Sequence, residues 1–200
     1  MTRLGVFGGA FDPPHIAHVA LARAAVEQLE LDELRIFPTG QAWHKSNVLT
    51  PADDRLAMAQ IAFGELPLTV IDDRELKRTG PTYTIDTLRE LKAGTPKAQL
   101  FLVMGEDQAV ALTRWRDWRE IVKMAVICVA RRPNAAEHSG DATPPGVPPE
   151  ADLRLLQLPS MDESATEVRE RVAHGDGIAH LVPAGVASYI ERHQLYRPGA

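Results

Sequence analysis

The chain has 200 residues, 22 Lys and Arg against 27 Asp and Glu, a formal charge of −5, 44% hydrophobic residues and one cysteine. The length suits one domain with a sizeable core. Net acidity argues against a nucleic-acid or anionic-membrane partner, and the lone Cys128 rules out a disulfide framework or a multi-cysteine zinc site. No apolar run approaches the roughly 20 residues that a membrane span needs, and the N-terminal run is too short for a signal-peptide core. A cytoplasmic protein is expected.

In chain order, Leu4 to Phe7 predicts a first strand that ends in Gly8-Gly9, and residues 15–30 carry mostly helical apolar spacing. Leu34 to Phe37 predicts a second strand, stopped by Pro38. Residues 39–49, with Gly40 and His44-Lys45, read as a loop that closes over a substrate. Thr50-Pro51-Ala52-Asp53 reads as a helix start with Thr50 as cap, running to about Phe63. Leu68 to Ile71 predicts the third strand, and Thr84 caps a helix through Lys92 that Gly94 stops. Leu100 to Met104 is apolar throughout, as expected of a central parallel strand. A short helix is expected from Trp115 to Val122, then strands at Ala125–Ala130 and Leu153–Leu158. Residues 133–150, with five prolines before Ala151 beside two glycines, read as a surface excursion. Helices are expected near 164–174 and 183–193. Such alternation specifies a doubly wound α/β fold, with a mostly parallel sheet and right-handed crossovers. Ligands in such sheets bind beyond the carboxyl ends of the strands.

The chemistry-bearing residues fall there. After the first strand comes Gly8-Gly9-Ala10-Phe11-Asp12-Pro13-Pro14-His15-Ile16-Ala17-His18. His15 and His18 share one face at a helix N-terminus, where free N–H groups favour an anion. Two imidazoles added there suit a phosphate that gains charge in a transition state. A zinc reading lacks a third ligand nearby. The segment is neither a Walker A loop nor Gly-x-Gly-x-x-Gly. Ser164-Ala165-Thr166-Glu167-Val168-Arg169 forms a second candidate, read either as a capping box or as a polyphosphate cradle.

Together these segments resemble the nucleotidyltransferase superfamily marked by His-x-Gly-His near the N-terminus and a Ser/Thr-x-x-Arg-type segment near the C-terminus. Within it the chain resembles the bacterial nicotinate mononucleotide adenylyltransferases over nearly its whole length. The resemblance rests on Gly8–His18, His44-Lys45, Pro81–Leu88, Met104–Asp107, Trp115 with Trp118, Arg132-Pro133 and Ser164–Arg169. Ala17 stands in place of the motif's glycine and Ala165 in place of a frequent serine. The resemblance implies a Rossmann-like fold, one nucleotidyltransferase domain over residues 1–200 with a small helical part at about 160–200, and adenylyl transfer from ATP to nicotinate mononucleotide. It implies His15 and His18 as catalytic residues on the α-phosphate. Gly8, Gly9, Phe11, Gly105, Asp107, Ser164, Thr166 and Arg169 would bind ATP. Lys45, Tyr83, Thr84, Trp115 and Arg132 would bind the mononucleotide. Mg²⁺ would be held mainly by ATP phosphates, with no protein metal site. Alternatives are an adenylyltransferase for nicotinamide mononucleotide or phosphopantetheine, and a non-catalytic nucleotide sensor. Trp118 reads as core and Cys128 as an inert buried thiol.

Overall fold

The computed structural model describes residues 1–42, 49–131, 143–161 and 163–198. Eight strands and seven α-helices alternate: β1 (Arg3–Gly9), α1 (Ile16–Gln28), β2 (Glu33–Pro38), β3 (Gln41–Ala42), α2 (Ala52–Phe63), β4 (Thr69–Ile71), β5 (Pro81–Thr82), α3 (Thr84–Gly94), β6 (Gln99–Met104), α4 (Glu106–Ala111), a 3₁₀ turn (Leu112–Arg114), α5 (Trp118–Met124), β7 (Ala125–Arg131), β8 (Leu153–Gln157), α6 (Ala165–His174) and α7 (Ala184–Arg192). Six strands form one parallel sheet in the order β4-β2-β1-β6-β7-β8, and β3 pairs with β5 in a separate two-stranded sheet.

The chain runs outward from β1 through β2 to β4, then returns to place β6 on β1's other side. The order therefore reverses between β1 and β6, where a doubly wound sheet opens a crevice at its carboxyl edge. Alternation along the strands feeds two cores. Phe7, Phe101 and Val103 face one side, with α1, α2, α6 and α7 over them. Val6, Leu100, Leu102 and Met104 face the other, with α3, α4 and α5. Both faces are covered, which is why these strands read as continuous apolar runs.

Several boundaries differ from the sequence reading. Thr50 does not cap α2; Pro51 holds the cap position, and Thr50 instead donates its N–H to Asp12 Oδ2 at 3.1 Å while its carbonyl accepts from Arg55 Nε at 3.0 Å. Tyr83, not Thr84, is the N-cap of α3, and the helix continues through Gly94. Trp115 lies outside any helix, between the 3₁₀ turn and α5. The two-residue strands β3 and β5 and the short α4 were not expected, being too brief for periodicity to register. Residues 143–150 are not a mere surface excursion, because Val147 is buried in the second core and donates its N–H to Pro144. Cys128 is fully buried, which pushes its thiol up to about 12 and leaves it inert. Among the described residues, no helix is long and apolar enough to cross a membrane.

Candidate active site

At the β1/β6 crevice lies a cavity of about 940 Å³. It gathers Gly8, Gly9, Phe11, His15, His18, Tyr83, Thr84, Gly105, Asp107, Trp115, Ser164, Thr166 and Arg169, which come from five separate stretches of chain. Lys45 and Arg132 lie outside the described residues, as does most of the 39–49 loop.

The first wall is the turn from β1 into α1. Gly9 has no side chain for a local reason: a Cβ there would come within 2.9 Å of the Phe11 ring. Phe11 adopts a left-handed φ of 48° and buries its ring edge-to-face on Phe63 and on His18, each with centroids 5.2 Å apart. That ring is thus core that supports His18, and any contact of Phe11 with a ligand falls to its backbone. His15 is the N-cap of α1, and its N–H donates to His18 Nδ1 at 3.2 Å. The two rings lie 3.7 Å apart at centroids, tilted by 31°. This bond leaves Nε2 of His18 as its N–H donor. Burial pushes the His15 imidazole down to about 4, which favours its neutral form at pH 7. The first turn of α1 carries no acid that would repel an anion.

The second wall is the start of α6. Ser164 Oγ accepts the Glu167 N–H at 3.1 Å, so the capping role read from sequence is real. Its hydroxyl proton stays available to an incoming oxygen. Arg169 donates from Nη2 to Thr166 Oγ1 at 3.2 Å and from Nη1 to the Asp12 carbonyl at 2.7 Å, which ties α6 to the turn before α1.

The third wall is partly aromatic. Trp115 and Tyr83 pack against the second core and also line the cavity, and the Arg116 guanidinium lies 4.7 Å over the Tyr83 ring. Thr84 begins α3, whose first amides lack intrahelical acceptors. Trp118 packs on the core and does not line the cavity.

Sequence reasoning missed Asp12, Arg55, Glu75 and Tyr196. Arg55 is 3% exposed and joins three loops, donating to the carbonyls of Ala10 at 2.9 Å, Thr39 at 2.7 Å and Thr50 at 3.0 Å. Glu75 lines the cavity and accepts the Thr87 hydroxyl at 2.6 Å, while Arg78 donates to that same Thr87 oxygen at 2.8 Å. Burial raises the Glu75 carboxyl to about 7 despite that bond. A polar residue with no local partner was the available signal. Its partners lie too far along the chain to be paired by spacing. Among the described residues, no group of three or more His, Cys, Asp or Glu could hold a metal ion.

Residues 6–171 match the model of the cytidylyltransferase-like family. The protein from Albidiferax ferrireducens named probable nicotinate-nucleotide adenylyltransferase is 53% identical over 197 residues, 98% of this chain and 99% of that one. Its namesake from a Dehalococcoides mccartyi strain is 42% identical over 197 residues, 97% of each chain. The solved Plasmodium falciparum nicotinic acid mononucleotide adenylyltransferase, complexed with NaAD, superimposes with a TM-score of 0.77 over 98% of both chains at 19% identity, a likeness of fold.

Proposed function

The chain belongs to the cytidylyltransferase-like family, and from that premise we propose that it transfers the adenylyl group of ATP to nicotinate mononucleotide, giving deamido-NAD and pyrophosphate. The observation that carries this reading is the convergence on one cavity of a paired-histidine helix start, a Ser/Thr/Arg helix start and an aromatic wall.

The mononucleotide phosphate is itself the nucleophile. One of its oxygens attacks the α-phosphorus of ATP, the bond from that phosphorus to the bridging oxygen breaks, and pyrophosphate leaves. No enzyme nucleophile is required, so catalysis is alignment and charge stabilisation. His15 and His18 donate N–H groups to the non-bridging α-oxygens as their charge grows. Ser164, Thr166 and Arg169 hold the β- and γ-phosphates, so the leaving group departs into donors already in place. Gly8, Gly9 and the Phe11 backbone bound the triphosphate side, and Gly105 and Asp107 meet the adenosine. Trp115 stacks on the pyridine ring, while Tyr83 and Thr84 receive the nicotinate carboxylate at the start of α3. Lys45 and Arg132 are assigned to the acceptor by sequence alone. Mg²⁺ would enter on the ATP phosphates and lend charge neutralisation.

The test is pyrophosphate release from ATP with nicotinate mononucleotide, nicotinamide mononucleotide or phosphopantetheine as acceptor. Turnover greatest with the nicotinate compound is expected. ATP binding without pyrophosphate from any acceptor would overturn the reading in favour of a nucleotide sensor.

A further inference from the structure

Asp12 stands three residues before His15 and is 6% exposed. Its oxygens gather three distant parts of the chain. Oδ1 accepts the Tyr196 phenol at 2.7 Å, Oδ2 accepts the Thr50 N–H at 3.1 Å, and the carbonyl accepts Arg169 Nη1 at 2.7 Å. Tyr196 lies 184 residues from Asp12, on the segment after α7, and lines the cavity. Its backbone sits at a left-handed φ of 64°, a conformation that persists in a bulky residue only where the surroundings over-determine it. Burial and the adjacent Asp12 carboxylate raise the phenol well above its ordinary range, so it stays a donor throughout the working pH range.

The segment from Asp12 to His15 is Asp-Pro-Pro-His, whose two prolines restrict the φ angles between these residues. Holding Asp12 therefore holds the start of α1, where His15 caps the helix and binds His18. Holding its carbonyl fixes the direction of Arg169. We propose, resting on the function above, that Tyr196 is a positioning residue for adenylyl transfer: its phenol fixes Asp12, and Asp12 sets the histidine pair against Arg169. The histidines serve the attacked phosphorus and Arg169 the leaving group, so their separation is the distance that in-line displacement must match. A shift of about 1 Å in such a group can cost about 100-fold in rate.

Tyr196→Phe removes the donor and keeps the ring, and Asp12→Asn weakens the acceptor as an independent variant. Each is followed by steady-state kinetics, thermal melting and NMR of the histidine ring signals in the substrate-free protein. The expected result is a kcat lower by about 10- to 100-fold in protein that is still fully folded at the assay temperature, KM for both substrates within about twofold, and displaced His15 ring signals. A latch that merely closes the C-terminal end would lower the melting temperature and leave the folded protein's kcat in place. His15 signals unmoved in both variants overturn the proposal whatever the rates, and so do displaced signals with an unchanged kcat. If the wild-type chain releases no pyrophosphate with any acceptor, the proposed function fails by that observation, while the ring signals still decide whether Tyr196 positions the pair.

Discussion

His18 is braced by core as well as by its partner: the Phe7 and Phe11 rings flank it, and the His15 N–H fixes its Nδ1. In the proposed reaction a donor so held is used chiefly when the α-phosphate gains charge, so His18→Ala should lower kcat by about 10²–10³ while ATP affinity changes little. Near-normal turnover in the folded variant would contradict the assignment. His15 has a second signature. Its imidazole falls from 6.5 to about 4 through burial, so the native state resists a proton that the unfolded chain accepts. That contribution to stability is full above pH 6.5 and is lost as pH falls toward 4. Glu75 runs the other way. Its carboxyl rises from 4.5 to about 7, so its contribution is full below pH 4.5 and is lost as pH rises through 7. Between pH 4.5 and 6.5 the two slopes oppose each other and the wild-type curve should be nearly flat. Denaturant titrations should show His15→Asn losing stability on raising the pH through that window, and Glu75→Gln gaining it. Parallel curves for all three proteins would refute the linkage. The histidines were legible because motif and spacing put them on one helix face. Asp12, Arg55 and Glu75 were not, because their partners are set by tertiary packing alone.

In the proposed reaction the start of α3 carries the acid-over-amide choice. A carboxylate can accept from two N–H donors at the start of α3, whereas an amide turns its NH₂ toward one of them and leaves both unpaired. One unsatisfied buried group costs roughly 1–3 kcal/mol, or about 5- to 150-fold. Tyr83 is the cap at φ −124° and ψ 136°, and Thr84 is the first helical residue. The first helical position tolerates proline, and the cap's extended backbone is what a residue before proline requires. Thr84→Pro should therefore fold normally, delete one N–H and reduce preference for nicotinate over nicotinamide mononucleotide by about 5-fold or more. Trp115→Ala should weaken both acceptors equally, since stacking does not distinguish acid from amide. Preference lost in Trp115→Ala and kept in Thr84→Pro would place the discriminator on the aromatic wall. The six strands of the main sheet were legible to within two residues, and the central β1, β6 and β7 read as apolar runs because both faces of the sheet are covered there. Helix starts were less so: Thr50 and Pro51 carry the right residues for a cap one position out of place, because Asp12 takes the Thr50 N–H.

At the scale of the molecule, α6, α7 and the segment between them are bound into the core that supports the turn from β1 into α1. Val168, Ile178, Leu181, Val182, Val186 and Ile190 are buried in the same cluster as Phe7 and Phe11. The Leu181 carbonyl accepts the Ile16 N–H at 3.0 Å, the Tyr189 phenol donates to Asp54 at 2.9 Å, and Arg169 and Tyr196 both close on Asp12. Alternation of strands and helices foretold the sheet, but nothing in local pattern says that α6 and α7 fold back across α1 and α2. These contacts lead us to propose that residues 1–200 form one cooperative unit, with no separable helical part at 160–200. Removing residues 160–200 would expose the apolar faces of α1 and α2, and apolar burial is worth about 25 cal/mol per Å². Thermal unfolding followed by far-ultraviolet circular dichroism and by tryptophan fluorescence should give one coincident transition. With Trp43 replaced by Phe for the fluorescence arm, the remaining Trp115 and Trp118 pack on the opposite face of the sheet from α6 and α7, so coincidence of the two signals means that both faces melt together. A chain ending at residue 159 should lack that transition and bind a dye for exposed apolar surface. Two separated transitions in the full chain, or a folded truncation, would show that the helical part is an independent unit.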